Sequence, residues 1–134
     1  MSSNHKKTAL IVEDSPTQRL RLEYLLVENG LDIISARDGE EGMRKAQLYL
    51  PDVIVLDYEL PGMNGFQVCT LLKEDRHTSF IPIIFFTAVK VEIAHFGSRM
   101  GEVTHVPKGE HADEMLLETL QAKGFINEVN LAAI

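Results

Sequence analysis

The chain has 134 residues, a net charge of −7 and a single cysteine, Cys69. That length suits one domain with a real core, and the acidic balance argues against a nucleic-acid partner held by bulk attraction. No apolar run approaches the roughly 20 residues of a spanning helix, no long apolar stretch follows the start as a signal peptide requires, and one cysteine excludes an internal disulfide and fits a reducing cytoplasm.

Residues 1–7 read as a disordered start, and Thr8–Val12 as the first strand. A helix is expected from Pro16 to Asn29, with Ser15 as N-cap, Pro16 in the first helical position and Gly30 as the stop. Leu22, Leu25, Leu26 and Asn29 share one face of it. The second strand is Leu31–Ser35. Asp38-Gly39-Glu40-Glu41 has the spacing of a capping box and opens a second helix, which carries Met43, Ala46 and Leu50 inward and stops before Pro51.

Val53–Asp57 is apolar up to its last residue, as a central strand covered on both faces should be. Pro61-Gly62 marks a turn, and Asn64 caps a third helix with Phe66, Cys69 and Leu72 on one side. Cys69 is expected to act as a small buried hydrophobe. Ile81–Phe86 is a second continuous apolar strand. A fourth helix is expected between Val91 and Arg99, then a short strand Val103–Val106. Pro107 at its end places that strand at a sheet edge. A fifth helix spans Ala112–Ala122 with Leu116, Leu117 and Leu120 buried. Residues 123–134 form a tail or linker too short for a domain, leaving 8–122 as the domain itself. Alternating strands and helices predict an α/β fold with a parallel sheet.

Polar groups stand where four of these strands run out: Glu13-Asp14, Asp57, Thr87 and Lys108. In a parallel sheet these ends meet at one edge, where open α/β sheets bind ligands. Three carboxylates, a hydroxyl and an ammonium collected there point to a divalent cation and a phosphoryl group. Crowded carboxylates repel one another unless a cation neutralises them, and Mg2+ prefers oxygen ligands with several retained waters. Taken singly, each residue has a plainer reading: Asp57 as a turn aspartate, Glu13-Asp14 as a solvated acidic turn, Thr87 as a common strand-end residue, Lys108 as a solvated lysine. His5, His77, His95 and His111 show no metal-ligand spacing.

Val12-Glu13-Asp14-Ser15-Pro16, Leu56-Asp57-Tyr58-Glu59-Leu60-Pro61-Gly62-Met63-Asn64-Gly65, Thr87-Ala88 and Lys108 together resemble the receiver domain of two-component response regulators, over about Thr8 to Ala122. The resemblance implies a flavodoxin-like sheet of order 2-1-3-4-5 with five helices. It implies that Asp57 accepts a phosphoryl group from a histidine kinase or a phosphotransfer protein. Asp14, Asp57 and the Glu59 carbonyl would hold Mg2+, with Glu13 acting through water. Thr87 and Lys108 would bind the phosphoryl oxygens, and small Ala88 would leave room for them. A downstream protein would dock on the face of the fourth helix, fifth strand and fifth helix. A weak homodimer is compatible with the family.

Two residues depart from the family pattern. His105 stands where an aromatic switch residue is usual, and reads equally well as a half-buried histidine of an edge strand. Gly109 replaces a proline that follows a cis bond, and a cis bond before a non-proline costs about 2.5–4 kcal/mol, so a trans bond is expected. Glu59, near the phosphoryl site, could set the lifetime of an acyl phosphate by orienting or blocking water. The competing reading is a receiver-fold scaffold whose switching is impaired. A phosphatase of the dehalogenase type wants a second Asp where Glu59 stands, and a flavodoxin wants a hydroxyl-rich loop in place of Glu13-Asp14-Ser15-Pro16.

Overall fold

The structure, a computed structural model, describes residues 6–92 and 102–134. Its strands are β1 (Thr8–Val12), β2 (Asp32–Ala36), β3 (Val53–Leu56), β4 (Ile83–Thr87) and β5 (Val103–Pro107). Every neighbouring pair is parallel and the order is β2-β1-β3-β4-β5. Four α-helices lie among the described residues: α1 (Pro16–Val27), α2 (Gly39–Tyr49), α3 (Gly65–Glu74) and α4 (Ala112–Ala122). This is the expected flavodoxin-like sheet, with β5 at an edge. The helix expected over Val91–Arg99 falls mostly on residues 93–101, outside the described residues; Val91 and Glu92 carry no regular structure.

The unbroken apolar run of the central strands follows from burial on both faces. Ala9, Ile11, Val53, Val55, Ile84 and Phe86 point to the side of α1 and α4, where they meet Leu22, Leu26, Leu116 and Leu120. Leu10, Val12, Ile54, Leu56, Ile83 and Phe85 point the other way, onto Ala46 of α2 and Val68, Cys69 and Leu72 of α3. Each fully buried side chain of this size contributes about 1.5–3 kcal/mol, so the two half-cores hold the sheet from both sides.

Several boundaries move for local reasons. Helix α1 stops at Val27, two residues short of expectation, because the Asn29 and Leu31 amides both turn back to the Leu26 carbonyl and Gly30 takes a φ of +91°. Leu31 is therefore a buried turn residue, and β2 begins at Asp32. Leu50, expected to point inward, is half exposed: it closes α2 in the left-handed region at φ +46°, and that rotation turns its side chain out of the core. Strand β4 starts at Ile83, since Pro82 has no amide to give; its carbonyl accepts from Ile54 instead.

Beyond α4, Gly124 reverses the chain and the tail folds back on the half-core beside α1. Ile126 is buried there, with Phe125, Val129 and Ala133 packed alongside. The Asn130 amide donates to Oδ1 of buried Asn29 at 2.6 Å, and a 3-10 turn, Leu131–Ala133, follows. No helix among the described residues is long and apolar enough to cross a membrane.

Candidate functional site

The sheet ladder continues one residue past three strands, and this fixes where the polar groups stand. The Glu13 amide donates to Ala36 O, the Asp57 amide to Val12 O, and the Lys108 amide to Thr87 O, each at 3.0 Å. Backbone pairing therefore brings Glu13, Asp57, Thr87 and Lys108 to one edge. Between β1 and β3 the strand order reverses, the usual place for a ligand in such sheets.

Glu13, Asp14 and Asp57 each present a carboxylate oxygen within 4.8 Å of the other two. Asp14 is exposed, whereas Glu13 and Asp57 are buried. All three are hard oxygen donors, the set that Mg2+ and Ca2+ prefer. A divalent ion fits them, and Asp14 offers it the open side.

Lys108 is the cation of the cluster. Its Nζ lies 2.8 Å from Glu13 Oε1, 2.8 Å from Gln18 Oε1 and 3.3 Å from Asp57 Oδ2. An ammonium has three hydrogens, so all three are directed at protein oxygens. Its Nζ lies over the Phe86 ring, 5.7 Å from the centroid. A cavity of about 460 Å3 opens on the far side of Lys108, lined by Gln18, Arg21, Phe86, Gly109 and Ile134 among others.

Glu13, read from sequence as acting through water, is engaged on both oxygens by protein: Oε1 by Lys108 and Oε2 by the Ser15 amide. Its carbonyl accepts from Arg19 Nη1 at 2.8 Å. Sequence reasoning passed over Gln18 and Arg19. The one signal available was the Ser15-Pro16-Thr17-Gln18 spacing, which resembles the start of a capped helix.

Thr87 is fully buried and its Oγ1 accepts from the Val89 amide at 3.3 Å; Ala88 beside it is exposed. The Glu59 side chain is exposed, and its amide approaches Asp57 Oδ1 at 3.4 Å. His105 is half-buried on β5, with Nε2 3.2 Å from the Thr87 carbonyl. No cis peptide occurs among the described residues, so the Lys108–Gly109 bond is trans, as expected. Gly65 opens α3 against the loop that leaves Asp57: its amide donates to Tyr58 O at 2.7 Å, and a Cβ there would collide with the Asp57 carbonyl and lie 2.7 Å from Tyr58 Cα.

A five-stranded parallel sheet with an acid cluster and a lysine at its switch point defines a doubly wound, flavodoxin-like fold with a polar site at its strand ends. The family model "Response regulator receiver domain" matches residues 9–120, and the chain belongs to that family. It is 37% identical to Protein PilH of Pseudomonas aeruginosa, over 84% of this chain and 93% of PilH. It is 40% identical to the transcriptional regulatory protein PhoP of Bacillus subtilis over 61% of this chain, but spans only 33% of that longer protein. Among solved structures, chemotaxis protein CheY4 of Vibrio cholerae superposes with a TM-score of 0.77 at 30% identity, covering 88% of this chain and 98% of CheY4. TrrA of Thermotoga maritima, crystallised with Mg2+ and BeF, gives a TM-score of 0.70 at 28% identity, covering 86% of this chain and 97% of TrrA. Receiver domains are signalling modules that work with histidine kinases and downstream effectors.

Proposed function

We propose that this chain is a phospho-accepting switch: Asp57 takes a phosphoryl group from a histidine kinase or a phosphotransfer protein, with Mg2+ at the acid cluster. The observation that carries this reading is the meeting of three carboxylates and the Lys108 ammonium at one strand edge. Asp14, Asp57 and the Glu59 carbonyl would hold the ion, with Glu13 behind them. When bound, Mg2+ supplies positive charge that offsets the carboxylates and the phosphoryl oxygens.

The chain's own groups account for the rest. The Asp57 carboxylate is the nucleophile: its oxygen forms the new bond to phosphorus as the donor's phosphorus–nitrogen bond breaks, and the product is an acyl phosphate. Lys108, 3.3 Å away, follows the charge as it passes from carboxylate to phosphoryl oxygen. Thr87 offers a hydroxyl to a second oxygen, and exposed Ala88 leaves space for it. Reorientation of Thr87 then moves the loop behind it, and the surface around β5 and α4 changes for a protein partner. Glu59, exposed next to Asp57, sets the lifetime of the product through its hold on water.

Intact-mass measurement after acetyl phosphate and Mg2+ tests the proposal. The parent gains one phosphoryl group and Asp57→Asn gains none; equal labelling of the two, or no labelling of the parent, would overturn it. The His105 ring against the Thr87 carbonyl favours a second reading, a scaffold with weakened switching, because it fixes the strand end that must move. In that case BeF-induced NMR shifts on β5 grow in His105→Tyr; identical shifts in parent and variant would dismiss it.

A further inference from the structure

Helix α1 starts with Ser15 as N-cap, Pro16 at N1 and Gln18 at N3. Ser15 Oγ accepts from the Gln18 amide at 3.3 Å, which holds the first turn and places the Gln18 side chain at the sheet edge. In a complete capping box the N3 glutamine would fold back onto the N-cap amide. Here that amide is already taken by Glu13 Oε2 at 3.1 Å. The Gln18 carboxamide is therefore released, and its oxygen reaches Lys108 Nζ at 2.8 Å, closer than Asp57 does.

We infer that Gln18 is a positioning residue that tethers Lys108, and that its bond is the one given up when Lys108 engages the transferred phosphoryl group. The inference rests on the phosphoacceptor reading above. Lys108 has no hydrogen left over for a new oxygen. Of its three acceptors, Glu13 is charged and buried and Asp57 carries the phosphoryl group itself, which leaves the neutral, exposed amide as the weakest hold. Gln18 thus acts as a brake on phosphorylation.

Two substitutions with opposite sign test the inference in the full chain. Gln18→Met keeps the length and removes the acceptor. Labelling by acetyl phosphate and Mg2+ then speeds up about threefold, the worth of an ammonium–amide hydrogen bond discounted for its exposure. Gln18→Glu turns the tether into an ion pair and slows labelling about threefold. The Gln18→Met difference vanishes in a Lys108→Ala background, which a merely structural effect of position 18 would survive. A Gln18→Met rate at or below the parent's, or an effect that persists without Lys108, would overturn the tether. A second measurement needs no phosphorylation: proton exchange at the Lys108 15Nζ rises about threefold in Gln18→Met, and an unchanged rate refutes the tether by itself. A parent that labels while both variants match it sinks only this inference; a parent that never labels sinks the phosphoacceptor reading.

Discussion

Two helix starts in this molecule share one sequence pattern and use it differently. At α3, Asn64 and Gln67 form a closed box: Asn64 Oδ1 accepts from the Gln67 amide and Gln67 Oε1 from the Asn64 amide, both at 2.9 Å. At α1, Ser15 and Gln18 have the same spacing, but Glu13 occupies the cap amide and Gln18 turns to Lys108. A third start lies between them. Asp38 Oδ1 accepts from the Glu41 amide at 2.8 Å, yet Glu41 returns to the Arg37 amide, one residue before the cap. The difference shows that N-cap chemistry is a competition for one backbone N–H, and that the loser is free for other work.

The comparison can be broken most sharply at the lysine. Lys108→Ala leaves Glu13, Gln18 and Asp57 without their shared donor. Labelling by acetyl phosphate should fall about 10²-fold, as when one charge-stabilising donor is removed, and a loss under tenfold would detach Lys108 from the chemistry. Gly65→Ala, at the α3 start, forces a methyl against the Asp57 carbonyl and Tyr58 Cα. It should cost about 3 kcal/mol in urea unfolding. A variant as stable as the parent would show that the loop has slack.

Smaller changes sharpen the contrast. Asn64→Ala removes a cap in a box that touches nothing catalytic. It should cost about 1 kcal/mol in stability and leave the labelling rate unchanged; a rate change would mean the two helix starts are not independent. A last effect, absent at neutral pH, concerns α3 itself. Burial pushes the Cys69 thiol up to about 12 from 9.0, only partly offset by Lys73. The unfolded chain therefore loses this proton first, and Cys69 makes stability fall as pH rises from about 9 towards 12. Burial holds Lys73 below its usual range, which works in the opposite direction as its lowered pKa is passed. Cys69→Ala should flatten the alkaline decline expected in thermal melts, and an identical slope would show that the thiol is not its source.

Much of this was readable in advance because the relevant signals are local. The β-branched runs gave the strands, and Pro16, Asp38 and Asn64 marked the helix starts. Helix α4 was legible to the residue because Gly109 to His111 precede it and Lys123-Gly124 close it. The acids, Thr87 and Lys108 could be placed together because a parallel sheet aligns strand ends. Gln18, Arg19 and the two-sided engagement of Glu13 were not legible. They depend on which side chain wins a particular N–H, and spacing does not decide that. Leu50 failed for a related reason: periodicity says which face a residue shares, but not where the chain leaves the helical conformation. The packing of residues 125–134 onto α1 needed the Asn29–Asn130 contact, which joins positions far apart in the chain.

That returning tail has a practical consequence. After α4 has carried the backbone away from the Lys108 edge, the last ten residues bring position 134 back beside the cavity that Lys108 and Gln18 line. A fluorophore attached there would sit in the same cavity as Lys108 and Gln18, a built-in reporter position for movement of that lysine.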